Sequence, residues 1–92
     1  MTRRLALIIE AESETFRFYY DGDNPSELHI TRRHGTTPED AIGTFLRGSV
    51  EPWDSSRMRF ASWTETHVLF WTRHAHDRSV IVISYVRRTD ER

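Results

Sequence analysis

The chain has 92 residues, 37% hydrophobic, 12% aromatic and 29% charged, which makes one folding domain with a single modest core. A net charge of −1 argues against a strongly electrostatic nucleic-acid binder, and the absence of cysteine rules out disulfides and thiolate chemistry. All thirteen basic residues are arginine, so every fixed positive charge can grip a carboxylate or phosphate through two parallel hydrogen bonds.

The start, Met1 to Ile9, has the look of a signal sequence. Its apolar run stops at Glu10, too soon for a signal peptide or a membrane span. Leu5, Leu7 and Ile9 instead alternate with Ala6, Ile8 and Glu10, which predicts a strand. Thr15 to Tyr20 repeats the pattern, and the short link Glu12-Ser13-Glu14 joins the two as a hairpin. Asp21 to Pro25 is turn chemistry. Asn24-Pro25-Ser26-Glu27 reads as a helix start, with Asn24 as cap, Pro25 first and Glu27 third; Gly35 is the matching stop. Leu28, Ile30 and Arg32 also alternate as a strand would, so helix and strand compete over 25–34. Thr37-Pro38-Glu39-Asp40 opens a second helix whose apolar stripe is Ala41, Ile42, Phe45 and Leu46. Ser49 to Ser56, with Pro52 and Trp53, reads as a loop. Three strand-like runs follow at Arg57–Thr64, His67–Arg73 and Val80–Val86, and the polar tail Arg87–Arg92 frays. The expected architecture is therefore α+β: an N-terminal β-hairpin, two short helices, then a three-stranded antiparallel sheet, all in one domain over 1–92.

Positive charge is unevenly spread. Residues 1–27 carry three Arg against six acids, and 28–92 carry ten Arg against eight acids plus all five His. His74 and His76 would share a face if extended, but a zinc site needs three or four ligands and no third is indicated, so no metal and no cofactor are expected. Trp53, Trp63 and Trp71 could stack on bases, although in so small a domain aromatics serve the core first. The basic set Arg32, Arg33, His34, Arg73, His74, His76, Arg87 and Arg88 is the candidate chemistry. Metal-independent RNA cleavage needs a base for the 2′-hydroxyl, positive charge for the phosphorane and an acid for the leaving oxygen, and His and Arg can supply all three. The alternative is that these are surface charges, with the helix-terminal arginines answering the helix dipole.

The stretch Glu27-Leu28-His29-Ile30-Thr31-Arg32-Arg33-His34-Gly35-Thr36-Thr37-Pro38-Glu39-Asp40-Ala41 resembles the segment that marks BrnT-type toxins. These are small ribonucleases of type II toxin–antitoxin systems, related in fold to RelE. Family members read His-Ile, Lys/Arg-His-Gly and Thr-Pro-Glu-Glu at nearly this spacing. The similarity runs over roughly 19–90 and includes the Thr64-Glu65 turn and Ile83-Ser84 in the last strand. Three positions depart from the family pattern. Trp63 stands where an arginine precedes the turn, His67 where a basic residue follows it, and Val86 where the last strand carries arginine. Arg87 comes one residue later, which on a regular strand is the opposite face.

The resemblance implies a RelE-like fold and a ribonuclease toxin that blocks translation by metal-independent acid–base chemistry. It also implies RNA substrates, ribosome-associated mRNA among them, a cognate antitoxin as partner, and a cytoplasmic location without membrane contact. On it, His34 is the acid or base, Arg33 and Arg87 clamp phosphate, and His74 or Tyr85 is the second proton-transfer group, with Arg32, Arg73 and Arg88 binding RNA. A gyrase-directed toxin of the related ParE type fits the same sequence. A reading from a different class is a non-catalytic protein-interaction module on this scaffold, either a degenerate toxin or a small binding protein.

Overall fold

The computed structural model describes residues 4–90; Met1–Arg3 of the signal-like start and the last two residues of the tail lie outside them. The chain forms β1 (Leu5–Ala11), β2 (Glu14–Tyr19), α1 (His29–His34), α2 (Pro38–Arg47), β3 (Ser49–Asp54), β4 (Arg59–Trp63), β5 (His67–Arg73) and β6 (Val80–Arg87). A 3₁₀ turn, Arg88–Asp90, follows.

The strands make one six-stranded mixed sheet in the order β1-β2-β6-β5-β4-β3. This corrects the expected RelE-like layout of a hairpin followed by a three-stranded antiparallel sheet. Two features of the sheet account for the difference. Phe16 and Phe18 are fully buried, and β2 joins the sheet by parallel pairing with β6 (Phe16↔Val80, Arg17↔Ile81). Parallel pairing of strands far apart in sequence leaves no local signature. Second, Ser49–Asp54 is an edge strand, paired with β4 through Ser49↔Trp63, Val50↔Ser62 and Glu51↔Ala61, although it reads as a loop. Pro52 is tolerated there because an edge strand can turn a missing N–H to solvent.

Both helices lie on one face. There Phe16, Phe18, Leu69, Trp71, Val80, Val82 and Tyr85 pack against Ile30 of α1 and Ala41 and Ile42 of α2. The ladder β5–β6 slips between Phe70↔Ser84 and Trp71↔Val82, leaving Ile83 as the extra residue of a β-bulge. α1 is shorter than expected. Asn24 Oδ1 accepts from Ser26 N at 3.2 Å in a local turn, Leu28 bridges to Tyr20, and the helix begins only at His29, without a side-chain cap. Gly35 ends it in the left-handed region at φ 65, its N–H reaching Thr31 O at 2.9 Å. α2 starts with Thr37 accepting from Asp40 N at 3.3 Å and Pro38 in its first turn. No helix among the described residues is long and apolar enough to cross a membrane.

Candidate functional site

The expected site residues fall in separate places. Arg32 and Arg33 converge on Asp21, which is buried at the end of β2. Arg33 Nε lies 3.0 Å and His29 Nδ1 3.1 Å from Asp21 Oδ1, and Arg32 Nε lies 3.2 Å from Oδ2. The backbone N–H groups of Asp23 and Asn24 donate to the same carboxylate at 3.0 and 3.2 Å. Burial alone would raise the Asp21 pKa; the hydrogen bonds from Arg33, His29 and Asp23 outweigh it and hold the carboxyl well below the usual range. Arg33 also binds Asp23, and Arg32 approaches Glu27 at 3.6 Å. Both arginines therefore face protein carboxylates. His34, one residue on, turns to the sheet: its Nε2 is 3.2 Å from Ser84 Oγ, and its ring meets His29 edge-on at 6.0 Å.

Arg73 and His74 sit at the β5–β6 turn. Arg73 holds Glu14 through two bonds of 2.7 and 3.1 Å, which lowers the Glu14 pKa. His74 Nδ1 accepts from His76 N at 3.2 Å and lies 3.5 Å from Asp77. Among the described residues, no group of three His, Cys, Asp or Glu side chains is placed to hold a metal.

Tyr85, Arg87 and Arg88 lie at the other end of the same strand pair. His67 is opposite Arg87, whereas Arg73 is opposite Val80. Six residues of strand separate the two ends, about 20 Å. Arg73 and His74 therefore cannot act on one phosphate together with Tyr85 and Arg87. Arg88 reaches Thr64 O at 3.2 Å and lies over the Trp63 ring at 5.0 Å.

At this end a cleft of about 350 Å³ opens between α2 and the β4–β5 turn. Asp40, Thr44 and Arg47 line it from α2, Thr64 and Thr66 from the turn, and His67 and Tyr85 from the strands. The His67 and Tyr85 rings stack at 5.1 Å, 25° apart. The Tyr85 hydroxyl pairs with Thr44 Oγ1 at 2.6 Å, and burial raises the phenol pKa, so it stays protonated at neutral pH. His67 Nδ1 lies 2.9 Å from Thr66 Oγ1, which leaves Nε2 as the ring nitrogen turned away from that bond. Arg47, in the last turn of α2, folds back over Gly43, where a Cβ would stand 2.5 Å from its terminal nitrogen. Arg47 and Arg87 make no hydrogen bond or ion pair to another described side chain, in contrast to Arg32, Arg33 and Arg73.

The bulge at Ile83 decides which face Arg87 takes. Tyr85 is on the helix side, bonded to α2. Val86 packs on the opposite face with Ala61, Val68 and Phe70. Arg87, opposite His67, is thus on the cleft side of β6. Sequence reasoning placed no role on His67, Thr44 or Arg47. The available signal was the position of His67 directly after the turn, where the resemblance expects a basic residue. No protein-family model, curated protein or solved structure matches this chain.

Proposed function

We propose that the chain is a metal-independent ribonuclease toxin of the BrnT type, with its reaction centre in the His67–Tyr85 cleft. The observation that carries this reading is the stacked imidazole–phenol pair on the same side of the sheet as Arg47 and Arg87, two arginines without a carboxylate partner among the described residues. His67 Nε2 takes the proton of the 2′-hydroxyl. The 2′-oxygen then bonds to phosphorus as the bond to the 5′-oxygen breaks, and Tyr85 gives its proton to that leaving oxygen. Arg47 and Arg87 stabilise the charge that builds on the phosphorane. Asp40 and Glu39 line the α2 side, so repulsion turns the phosphate towards the arginines.

The test is cleavage of RNA by purified protein in the presence of a chelator. Wild type is compared with His67→Ala, Tyr85→Phe and Arg87→Ala, and with His34→Ala, since His34 is the acid–base group that the sequence resemblance implies. Cleavage lost in His67→Ala and kept in His34→Ala supports the cleft; the reverse pattern moves the chemistry to the His34–Ser84 pair.

A second reading, a protein-interaction module without catalysis, is favoured by the sheet face away from the helices. There Leu5 and Ile8 are exposed, and a groove of about 320 Å³ lies against Tyr19, Ile81 and Ile83. On the toxin reading this face suits the antitoxin. Expression in a bacterial host separates the two readings: growth arrest relieved by His67→Ala speaks for the nuclease, and no arrest by wild type for the module.

A further inference from the structure

We infer that Trp53 is a stacking platform for a base of single-stranded RNA entering the cleft along β3. This rests on the RNA-directed reading above and adds a binding site outside the cleft. β3 begins beside the cleft, where Ser49 pairs with Trp63, next to Thr64. Trp53 lies four residues along the strand, about 13 Å away. Val50 pairs with the buried Ser62, whose hydroxyl accepts from Trp71 Nε1 at 2.9 Å, so Val50 faces the helix side. Trp53 meets Phe60 edge-on at 4.8 Å on that same side. α2 packs on β4 and β5 but leaves this face of β3 open: Val50 is 58% and Trp53 41% exposed. The result is a shallow path from the cleft to Trp53, with Arg47 at the cleft end.

Trp53 is also held in place from behind. Phe60 stacks on Trp71 at 4.6 Å, Trp71 meets Phe45 at 4.8 Å, and Phe45 meets Phe16 at 5.1 Å. This aromatic series runs from the fully buried Phe16 to the surface and ends at Trp53. An indole fixed in this way loses little side-chain freedom when a base stacks on it, and stacking tolerates any base. Arg47 gives the backbone of the strand a cation at the cleft end. A polyanion with flat bases matches both features, whereas an apolar protein surface would leave the guanidinium without a partner.

The probe is a short single-stranded oligonucleotide of mixed sequence carrying 2′-fluoro in place of every 2′-hydroxyl. It cannot be cleaved, so binding is read independently of catalysis. Affinity is measured for wild type, Trp53→Phe, Trp53→Leu and Arg47→Gln across a salt series, with the oligomeric state of each recorded. The expected result is about tenfold weaker binding by Trp53→Leu, near wild-type binding by Trp53→Phe, and a salt slope about one unit shallower for Arg47→Gln. Equal affinity of wild type and Trp53→Leu overturns the inference, as does no binding by wild type. So does a Trp53→Leu change that splits an oligomer while leaving oligonucleotide affinity intact, which would assign the surface to protein contact. Failure of wild type to cleave natural RNA while this Trp53-dependent binding persists overturns the nuclease reading alone.

Discussion

Tyr85 and Thr44 are buried and close one short hydrogen bond, so the structural role of Tyr85 can be separated by substitution from the proton-donor role proposed for it. Tyr85→Phe leaves the Thr44 hydroxyl without its partner and is expected to cost about 1–3 kcal/mol in denaturant unfolding. The double change Tyr85→Phe with Thr44→Val removes both partners and should recover part of that stability without recovering cleavage. Gly43 separates activity from stability in the other direction. A methyl there meets only the far end of the Arg47 side chain, which can move, and alanine favours the helix by up to about 1 kcal/mol. Gly43→Ala is therefore expected to hold or raise the melting temperature while reducing cleavage, because the guanidinium is pushed from its place. Part of the residue-level layout was legible in the sequence. Arg33 and His34 stand out as a basic pair, but nothing local says that Asp21, twelve residues before Arg33, is buried and takes up both Arg32 and Arg33. His67 was legible only as the residue after a turn; its stacking on Tyr85 depends on the β5–β6 register.

At the level of elements, α2 was readable because its signals are local. Thr37, Pro38 and Asp40 occupy the cap and first turn, and they do so in the structure. Thr37→Ala is expected to lower stability by about 1 kcal/mol. The end of α2 is held more tightly. A Cβ on Gly48 would stand 2.6 Å from Thr44 O and 2.7 Å from Trp63 O, backbone atoms that cannot swing aside. Gly48→Ala should cost about 1–3 kcal/mol and disturb the cleft wall, visible as a lower unfolding midpoint together with lost cleavage. The start of α1 was misread because Asn24 has two uses for its side chain. It can cap a helix or close a turn on Ser26, and Asp21 already engages the turn from below. β3 was missed because Pro52 interrupts a run that is exposed along nearly its whole length, which is how a protected edge strand and a loop both look in sequence. The bulge at Ile83 is equally silent in sequence, yet it sets the face of Arg87 and so the composition of the site.

Across the whole molecule, charge is divided between structural pairs and the cleft. Asp21 and Asp77 have pKa values held low by their partners, and Asp54 lies at about 2. Each is a carboxylate whose folded pKa is below its unfolded value near 4. Their stabilisation is therefore present above about pH 4 and lost as pH falls through the folded values. Acid unfolding should be less steep in Asp21→Asn than in wild type, on a lower plateau at neutral pH, because Arg32, Arg33 and His29 lose a shared buried anion. The net charge of −1 hid the cleft from composition, since it does not say that Arg17, Arg33 and Arg73 are neutralised by acids contributed from other segments. What marks the cleft is the stacking of His67 on Tyr85 with Arg47 beside it, and that is a property of the folded chain. Whether His67 or His34 performs acid–base chemistry on RNA is decided by cleavage rates of the two alanine variants beside wild type, with chelator present. With His67 as the base, cleavage falls about a hundredfold or more in His67→Ala and stays close to wild type in His34→Ala. Equal rates for wild type and His67→Ala, or intact RNA with all three proteins, would rule out His67 as the base.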